Sequence, residues 1–333
     1  MNPVLAPICI FVYNRPVHSE KMLNSLVANQ LFSESEVFVF ADGPKDGASP
    51  EEIEKIKQVR DKLKILENNK AVHYNLSEEN KGLTKSIVSG ITDIINKYGK
   101  VIVIEDDLEL SPGFLKYMND ALNLYESEER VMHIGGYMVP HKINLPETFF
   151  LKTPTIWGWG TWKRAWGNYE INAVILLENL EAKFGKDFAY AFDVNGTYTY
   201  TKQLRDIASG KLDTWDIQWA ASIYLENGLC LHPGLSLTIN NGFDGSGVHC
   251  SFVETFNNQI FAKEISVFNQ LLLPNKRGMK AFSAHHKKNY HPKKKELIVK
   301  YFYKLTNYIP KDLRKILKKI INYSHLNLTK TVD

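Results

Sequence analysis

Residues 101–122 read VIVIEDDLELSPGFLKYMNDAL. Four branched apolar residues (101–104, VIVI) have the length and composition of a buried strand, and the run stops on three carboxylates, Glu105, Asp106 and Asp107. Ser111 and Pro112 then open a helix, since proline costs nothing in a first turn whose N–H groups have no intrahelical partner. Upstream the same alternation recurs. Residues 7–13 (PICIFVY) read as a strand, Pro16 starts a helix over 17–30, and 36–41 (EVFVFA) is a second strand. Ser49, Pro50 and Glu52 form a capping box at the head of a charged helix that runs to about residue 67. A short strand follows at 71–75 and a helix at roughly 83–97. Strands alternating with helices at this spacing predict an α/β chain with a mostly parallel sheet flanked by helices, in which ligands sit beyond the carboxyl ends of the strands. Asn14 and Arg15, Asp42, and the three acids all fall at such ends.

The second half is less regular. Residues 150–169 carry Trp157, Trp159, Trp162 and Trp166 among glycines, and part of this stretch is expected to be helical. Residues 171–210 read as helical, LDTWDIQWAASIYLENG as a helix entered through acidic residues, LCLHPGLSLTI as one or two strands, and NNGFDGSGVHC as a glycine-rich loop.

Length and composition narrow the class. The chain has 333 residues, 44% hydrophobic and 23% charged, enough to bury a sizeable core. No apolar stretch is long enough to cross a bilayer, and the first residues do not resemble a secretory signal. Three widely spaced cysteines, Cys9, Cys230 and Cys250, fit neither a disulfide framework nor a zinc ribbon, and reduced thiols are expected. The net charge of +4 conceals an asymmetry. Residues 276–333 hold sixteen Lys and Arg against three Asp and Glu, whereas residues 1–275 hold 25 against 34. The expected division is therefore an acidic body, 1–275, with a regular part, about 1–130, and a less regular part, about 131–275, followed by a basic region, 276–333.

Three carboxylates gathered at a strand end offer hard oxygen ligands suited to Mn2+ or Mg2+ shared with a diphosphate. The bland alternative is a solvated acidic loop, and acids consumed by internal ion pairs would count against a metal. Trp157 and Trp159 are candidates to line a sugar pocket, because Gly158 and Gly160 allow close approach and aromatic faces pack on sugar C–H faces; core packing is the default for tryptophan.

The 101–122 segment resembles the metal-site segment of the GT-A glycosyltransferases, with greatest likeness to the N-acetylglucosaminyltransferase I family and its bacterial relatives. PICIFVYNRP resembles that family's first strand and arginine, VFVFADGPK its second strand and uracil-contacting aspartate, TWDIQWA its W-D-D-W segment, and GSGVHCSF its late G-V-S-H loop. The resemblance implies a GT-A fold, with about 1–130 as the donor half and 131–275 as the acceptor half, and a residue set. Asp107 would ligate the metal, while Asp106 and Glu105 would contact the ribose and the transferred sugar. Asp42 would accept from the uracil N3–H, Arg15 would face the diphosphate, Asp216 would be the base, and His249 would belong to a lid. Ile217 stands where the family has its second acid, so Asp213 is a rival for the base. Read plainly, Arg15 is a surface ion pair, Asp42 before Gly43 a turn former, Asp216 a first-turn helix acid and His249 an ordinary loop histidine.

The resulting expectation is an inverting, metal-dependent transfer from a UDP-sugar to a saccharide acceptor, lipid-linked in some relatives, in surface polysaccharide synthesis. In the tail, Leu313, Ile316, Leu317, Ile320 and Ile321 recur at helical spacing opposite lysines, which fits a helix lying on an anionic membrane at the inner face of a cell; packing on the body and nucleic-acid binding are the alternatives to that, and nucleic acid is not the expected partner. A sugar-phosphate nucleotidyltransferase would carry a glycine-rich phosphate loop after the first strand, where this chain has only Asn-Arg-Pro. A non-catalytic protein acting on nucleic acid through the tail would be indifferent to Asp107. A dinucleotide-dependent oxidoreductase would need G-x-G-x-x-G there, which is missing.

Overall fold

The structure is a computed structural model that describes residues 4–243 and 261–290. The strands and helices of the first half follow the alternation of the sequence: β1 (Ile8–Val12), α1 (Pro16–Val27), β2 (Val37–Ala41), α2 (Pro50–Lys62), β3 (Val72–Leu76), α3 (Leu83–Tyr98) and β4 (Lys100–Glu105). Local chemistry sets the boundaries. Pro16 occupies the first helical turn of α1, Ser49 Oγ accepts from the Glu52 N–H at 3.2 Å to cap α2, and Gly99, at φ 81°, ends α3 in the left-handed conformation that glycine tolerates.

After β4 the chain departs from expectation. The residues between the acids and the next helix form a short strand, β5 (Leu108–Leu110), before α4 (Phe114–Leu124). Then follow β6 (Val131–Gly135), β7 (Thr148–Leu151), β8 (Trp159–Trp162), α5 (Lys163–Trp166), α6 (Ala173–Phe184), α7 (Phe188–Phe192), α8 (Tyr200–Ala208), α9 (Asp216–Leu225), β9 (Leu229–Pro233), β10 (Thr238–Asn240) and α10 (Lys276–Tyr290). The tryptophan segment is partly helical, as expected, with Trp166 in α5, and Trp159 and Trp162 lie on a strand, β8. Its glycines hide a period of two that becomes visible only from the burial of Trp159 and Trp162 in different core clusters.

Eight strands form one sheet in the order β3-β2-β1-β4-β8-β6-β9-β7. The pairs β1–β2, β2–β3, β1–β4 and β6–β9 are parallel; β8 runs antiparallel to both β4 and β6, and β7 antiparallel to β9. Six of the eight strands therefore point one way, and the expected mostly parallel α/β architecture is the one the chain adopts. Strand order reverses at β1, with β2 on one side and β4 on the other. That is the switch point where open α/β sheets leave a crevice for ligand.

Both faces of the sheet are covered. Ile8, Ile10 and Val12 of β1, with Ile102 and Ile104 of β4, pack with Met22, Leu23 and Leu26 of α1 and with Phe114 and Met118 of α4. Their alternates Cys9, Phe11, Val101 and Val103 pack with Ile87, Ile91, Ile94 and Ile95 of α3 and with four tryptophans. The continuous apolar runs in the sequence follow from this, because a parallel strand buried on both faces has no solvent side to make polar. A third cluster joins α6, α7, α8 and α9.

Cys9 and Cys230 are buried free thiols; Cys250 lies outside the described residues. By compactness the chain divides into residues 1–283 and 284–333. No helix among the described residues is long and apolar enough to cross a membrane. His249 and the amphipathic repeat from Leu313 to Ile321 lie outside the described residues.

Candidate active site

The parallel registers bring the strand ends level. Phe11 of β1 lies opposite Glu105 of β4, and Val12 lies opposite Ala41 of β2. Residues 13–15, Asp42 and the acid triplet therefore emerge from one rim of the sheet, separated by strand spacing rather than by the 91 residues between Arg15 and Asp106.

Arg15 precedes α1 and turns its guanidinium onto the acids. Its Nη2 is 2.5 Å from Asp106 Oδ1 and 3.1 Å from Asp107 Oδ2, while Nε reaches Asp106 Oδ2 at 3.4 Å. Asp106 is thus gripped by a fork and Asp107 by a single contact. The side chains of Asp106 and Asp107 are 8% and 13% exposed, so water screens neither strongly. Burial, set against the pull of Arg15 and joined by the push of Asp107, brings the Asp106 carboxyl up to about 6. Burial pushes Glu105 well above the carboxylate range, with Asp107, Asp106 and Asp216 adding to the effect. Burial works against the charge of Arg15, yet Asp106 and Asp107 hold it firmly protonated. Among the described residues one guanidinium pairs with Asp106 and Asp107, while burial favours the neutral form of Glu105.

A wall that the sequence did not reveal closes this corner. β5 pairs antiparallel with β10 in a separate two-stranded sheet, and the Asn241 N–H extends the ladder by donating to the Asp107 carbonyl at 2.8 Å. Gly242 N–H donates to Asn240 Oδ1 at 2.7 Å, His18 Nε2 donates to the Asn241 carbonyl at 3.2 Å, and Asn241 Nδ2 donates to Glu109 Oε2 at 3.3 Å. A Cβ on Gly242 would lie 2.4 Å from Asp107 Oδ2 and 3.0 Å from Arg15 Nη1, so a side chain there would push on the carboxylate and the guanidinium. The Asn-Gly pair was a visible turn signal, but its partner strand, about 130 residues earlier, was not.

Asp216 opens α9, and its carboxylate accepts a hydrogen bond from the Thr214 hydroxyl. Its charge is felt by Glu105 and, more strongly than that of Asp213, by Tyr169, whose hydroxyl donates to the Trp215 carbonyl at 3.3 Å. Asp213 is exposed and does not figure among the charges acting on Glu105, so of the two rivals Asp216 is the one that communicates with the acid corner.

Two expectations need revision. Trp159 does not line a pocket: it is 0% exposed, stacks on His133 and Trp215 and packs on Trp166 and Trp219, because β8 is a central strand covered on both faces. Trp157 is partly exposed and meets Tyr137 and Phe243 edge-on, one residue beyond Gly242. Asp42 has its oxygens occupied. They accept from the N–H groups of Lys81, at 2.8 and 3.1 Å, and of Gly82 and Gly43, each at 3.1 Å. It therefore caps the entrance to α3, which is the turn-forming role.

Glu52 is also diverted. Instead of returning to Ser49 to complete the capping box, its carboxylate accepts from Tyr13 Oη at 2.8 Å and from Asn14 Nδ2 at 3.3 Å, which ties the first strand end to α2. Burial and this carboxylate push the Tyr13 phenol up to about 12.

No group of three or more His, Cys, Asp or Glu among the described residues is arranged to hold a metal alone. The donor set instead fits a hard cation held by one or two carboxylates and completed by phosphate and water: Asp107 gives only Oδ2 to Arg15 and keeps Oδ1 outside that pair.

No protein-family model matches the chain, and no curated protein matches it. Among solved structures it is similar to S. aureus TarS at 19% identity and a TM-score of 0.28, over 42% of this chain and 23% of TarS. It is also similar to UDP-glucose pyrophosphorylase in complex with UDP-glucose, at 12% identity and a TM-score of 0.34, over 69% of this chain and 90% of that one. The chain thus spans less than a quarter of the length of TarS.

Proposed function

We propose that this chain is an inverting glycosyltransferase that moves a sugar from a UDP-sugar to a saccharide hydroxyl with the help of Mn2+ or Mg2+. One observation supports the reading: a buried acid triplet and an arginine share the rim of the sheet at its switch point, with a fourth carboxylate, Asp216, whose charge acts on Glu105.

The chemistry requires two opposed functions. Breaking the anomeric C–O bond leaves charge on the diphosphate, and a bound divalent cation supplies the Lewis acidity that neutralises it. Asp107 is the residue to hold that cation. Arg15 adds a fixed positive charge whose interaction with the leaving group strengthens as the bond breaks. Glu105 and Asp106 would meet the ribose and donor-sugar hydroxyls. On the acceptor side the Asp216 carboxylate takes the hydroxyl proton while the acceptor oxygen forms its bond to the anomeric carbon, and Thr214 holds that carboxylate in one rotamer. A single displacement inverts the anomeric centre. Arg15 pairs with both Asp106 and Asp107, which counts against a metal at this corner; Asp107 Oδ1, outside that pair, is the oxygen on which the metal reading depends.

The same reading places the enzyme at an anionic membrane through the basic region beyond the described residues; co-sedimentation with phosphatidylglycerol vesicles, lost when residues 291–333 are removed, tests that part.

The class is tested by thermal unfolding with UDP-, GDP-, CMP- and dTDP-sugars, each with and without Mn2+. Ligand at roughly a hundred times its Kd adds about 2.7 kcal/mol to stability, a shift of several degrees at most for a chain of this size. One UDP-sugar is expected to stabilise the protein only with Mn2+, and Asp107→Ala is expected to abolish that shift without lowering the unliganded Tm. Stabilisation indifferent to both Mn2+ and Asp107, or none with any nucleotide sugar, refutes the reading.

A further inference from the structure

The two edges of the sheet are finished differently. β7 is buried along its length and is covered by its own chain: Phe150 bridges to Pro274, and the Phe150 carbonyl accepts from the Asn275 N–H at 2.7 Å. β3 forms the other edge. In its parallel ladder with β2 the odd-numbered residues carry the bonds, since the Val37 N–H donates to the Ala71 carbonyl and the Ser77 N–H to the Ala41 carbonyl, each at 2.9 Å. The N–H and C=O groups of Val72, Tyr74 and Leu76 therefore point away from the sheet, and among the described residues none of them is paired. The strand reads VHYNL, without the lysine, proline or bulge that ordinarily blunts an edge. Tyr74 and Leu76 are 45% and 46% exposed.

We propose that β3 is a self-association edge, on which a second copy of this chain adds its own β3 antiparallel across a two-fold axis at Tyr74. This register is self-complementary, as a two-fold contact requires. Tyr74 meets its symmetry mate and Val72 meets Leu76, so the outward N–H and C=O groups of both strands meet as hydrogen-bonded pairs. Apolar side chains face one another on the side that carries Val72, Tyr74 and Leu76, and His73 faces Asn75 on the other. One step beyond each end of the ladder, Lys70 of one copy falls beside Glu78 of the other; both are exposed and opposite in charge. A slip of one residue sets the outward groups against residues whose bonds go to β2, and a slip of two sets Leu76 against Lys70 or Val72 against Glu78. Charge and pairing thus select a second copy in one register. The parallel strands of the two copies run in opposite directions, so their rims open at opposite ends and neither site needs the other. A ladder of five residues a side makes the dimer a dissociable one.

The test is sedimentation velocity of the full chain over a wide range of concentration. The 38.2 kDa chain is expected to pass reversibly to twice that mass as its concentration rises. Tyr74→Lys sets like charges against each other on the axis and is expected to weaken the dimer by roughly tenfold or more. Lys70→Glu and Glu78→Lys should each weaken it and should together restore it, a rescue that a merely structural role of either residue would not give. Register is read by cross-linking in a Cys250→Ser background. Facing residues of a bonded antiparallel pair lie about 5.5 Å apart at Cα, within disulfide reach. Tyr74→Cys is therefore expected to link to its own copy on oxidation with copper–phenanthroline, whereas Val72→Cys and Leu76→Cys should link only when the two proteins are mixed. A chain that stays monomeric at every concentration overturns the proposal. So does a dimer whose strength Tyr74→Lys leaves unchanged, or one that Tyr74→Cys does not link. Should the Tyr74 variants fail to fold, the exposed charge pair decides: a dimer indifferent to both Lys70→Glu and Glu78→Lys overturns the proposal.

Discussion

Trp157 and Trp159 stand two positions apart, a spacing that in a regular strand puts both on one face. Gly158 at φ 73° breaks that relation. The backbone bends there, so Trp159 enters the core between His133 and Trp215 while Trp157 stays at the margin beside Phe243. The two should respond differently to truncation. Trp159→Ala is expected to lower stability by about 3–5 kcal/mol in urea unfolding. Trp157→Ala is expected to cost well under half of that and to show itself in UDP-sugar affinity. Equal losses of stability would mean that Trp157 is also a core residue. The contrast between Asp213 and Asp216 is similar. They are three positions apart in one acidic stretch, and only the start of α9 determines which of them acts on Glu105. Identity and spacing nominate such residues, but a single backbone torsion or helix start chooses among them.

At the scale of elements, Asp42 ties β2 to α3 by accepting from the N–H groups of Lys81 and Gly82, about forty residues away in sequence. Helix entrances leave N–H groups without intrahelical partners, and α3 has no side-chain cap of its own. Removing the carboxylate exposes that need. Asp42→Ala is expected to reduce stability by about 1–3 kcal/mol, read from the urea midpoint. A midpoint that stays in place while UDP affinity collapses would show instead that the carboxylate serves the nucleotide base. The β5–β10 pair is the other element that matters, because it places residues 240–242 against Asp107. The strand at β10 was legible in LCLHPGLSLTI, but β5 was not, since three residues are too few to show a period, and neither showed the pairing.

For the whole molecule, His133 on β6 and His232 on β9 lie on adjacent strands, both buried, each donating from Nε2 to a backbone carbonyl, of Thr155 and Thr153 respectively, at 2.9 Å. Burial pushes them down to about 3 and about 4. An unfolded histidine binds a proton near pH 6.5, whereas the folded ones do not until far lower, so the unfolded state binds more protons in between. Stability contributed by these two groups is complete above pH 6.5 and is lost as the pH falls towards 4, on the order of 2 kcal/mol for each at pH 5. Asp106, pushed up, has the opposite sign and favours the fold as the pH drops through about 6. Urea midpoints at pH 7 and pH 5 for the wild type and for His133→Phe separate the contributions. The variant should lose less stability between the two pH values than the wild type, and identical losses would show that His133 does not stay neutral in the fold.

The linear chain was sufficient for the layered α/β architecture of its first half, for the strand ends on which polar residues would gather and for the acid triplet as their centre. The reason is local: branched apolar runs, proline and glycine boundaries and a capping serine act within a few residues of themselves. The antiparallel insertion of β8, the withdrawal of Trp159 into the core, the use of Asp42 as a cap and the closure of the acid corner by Gly242 required the tertiary structure. Each depends on which distant segment arrives as a neighbour, and no local period encodes that. The sharing of Arg15 between two carboxylates belongs with these, because it exists only where two parallel strand ends lie side by side.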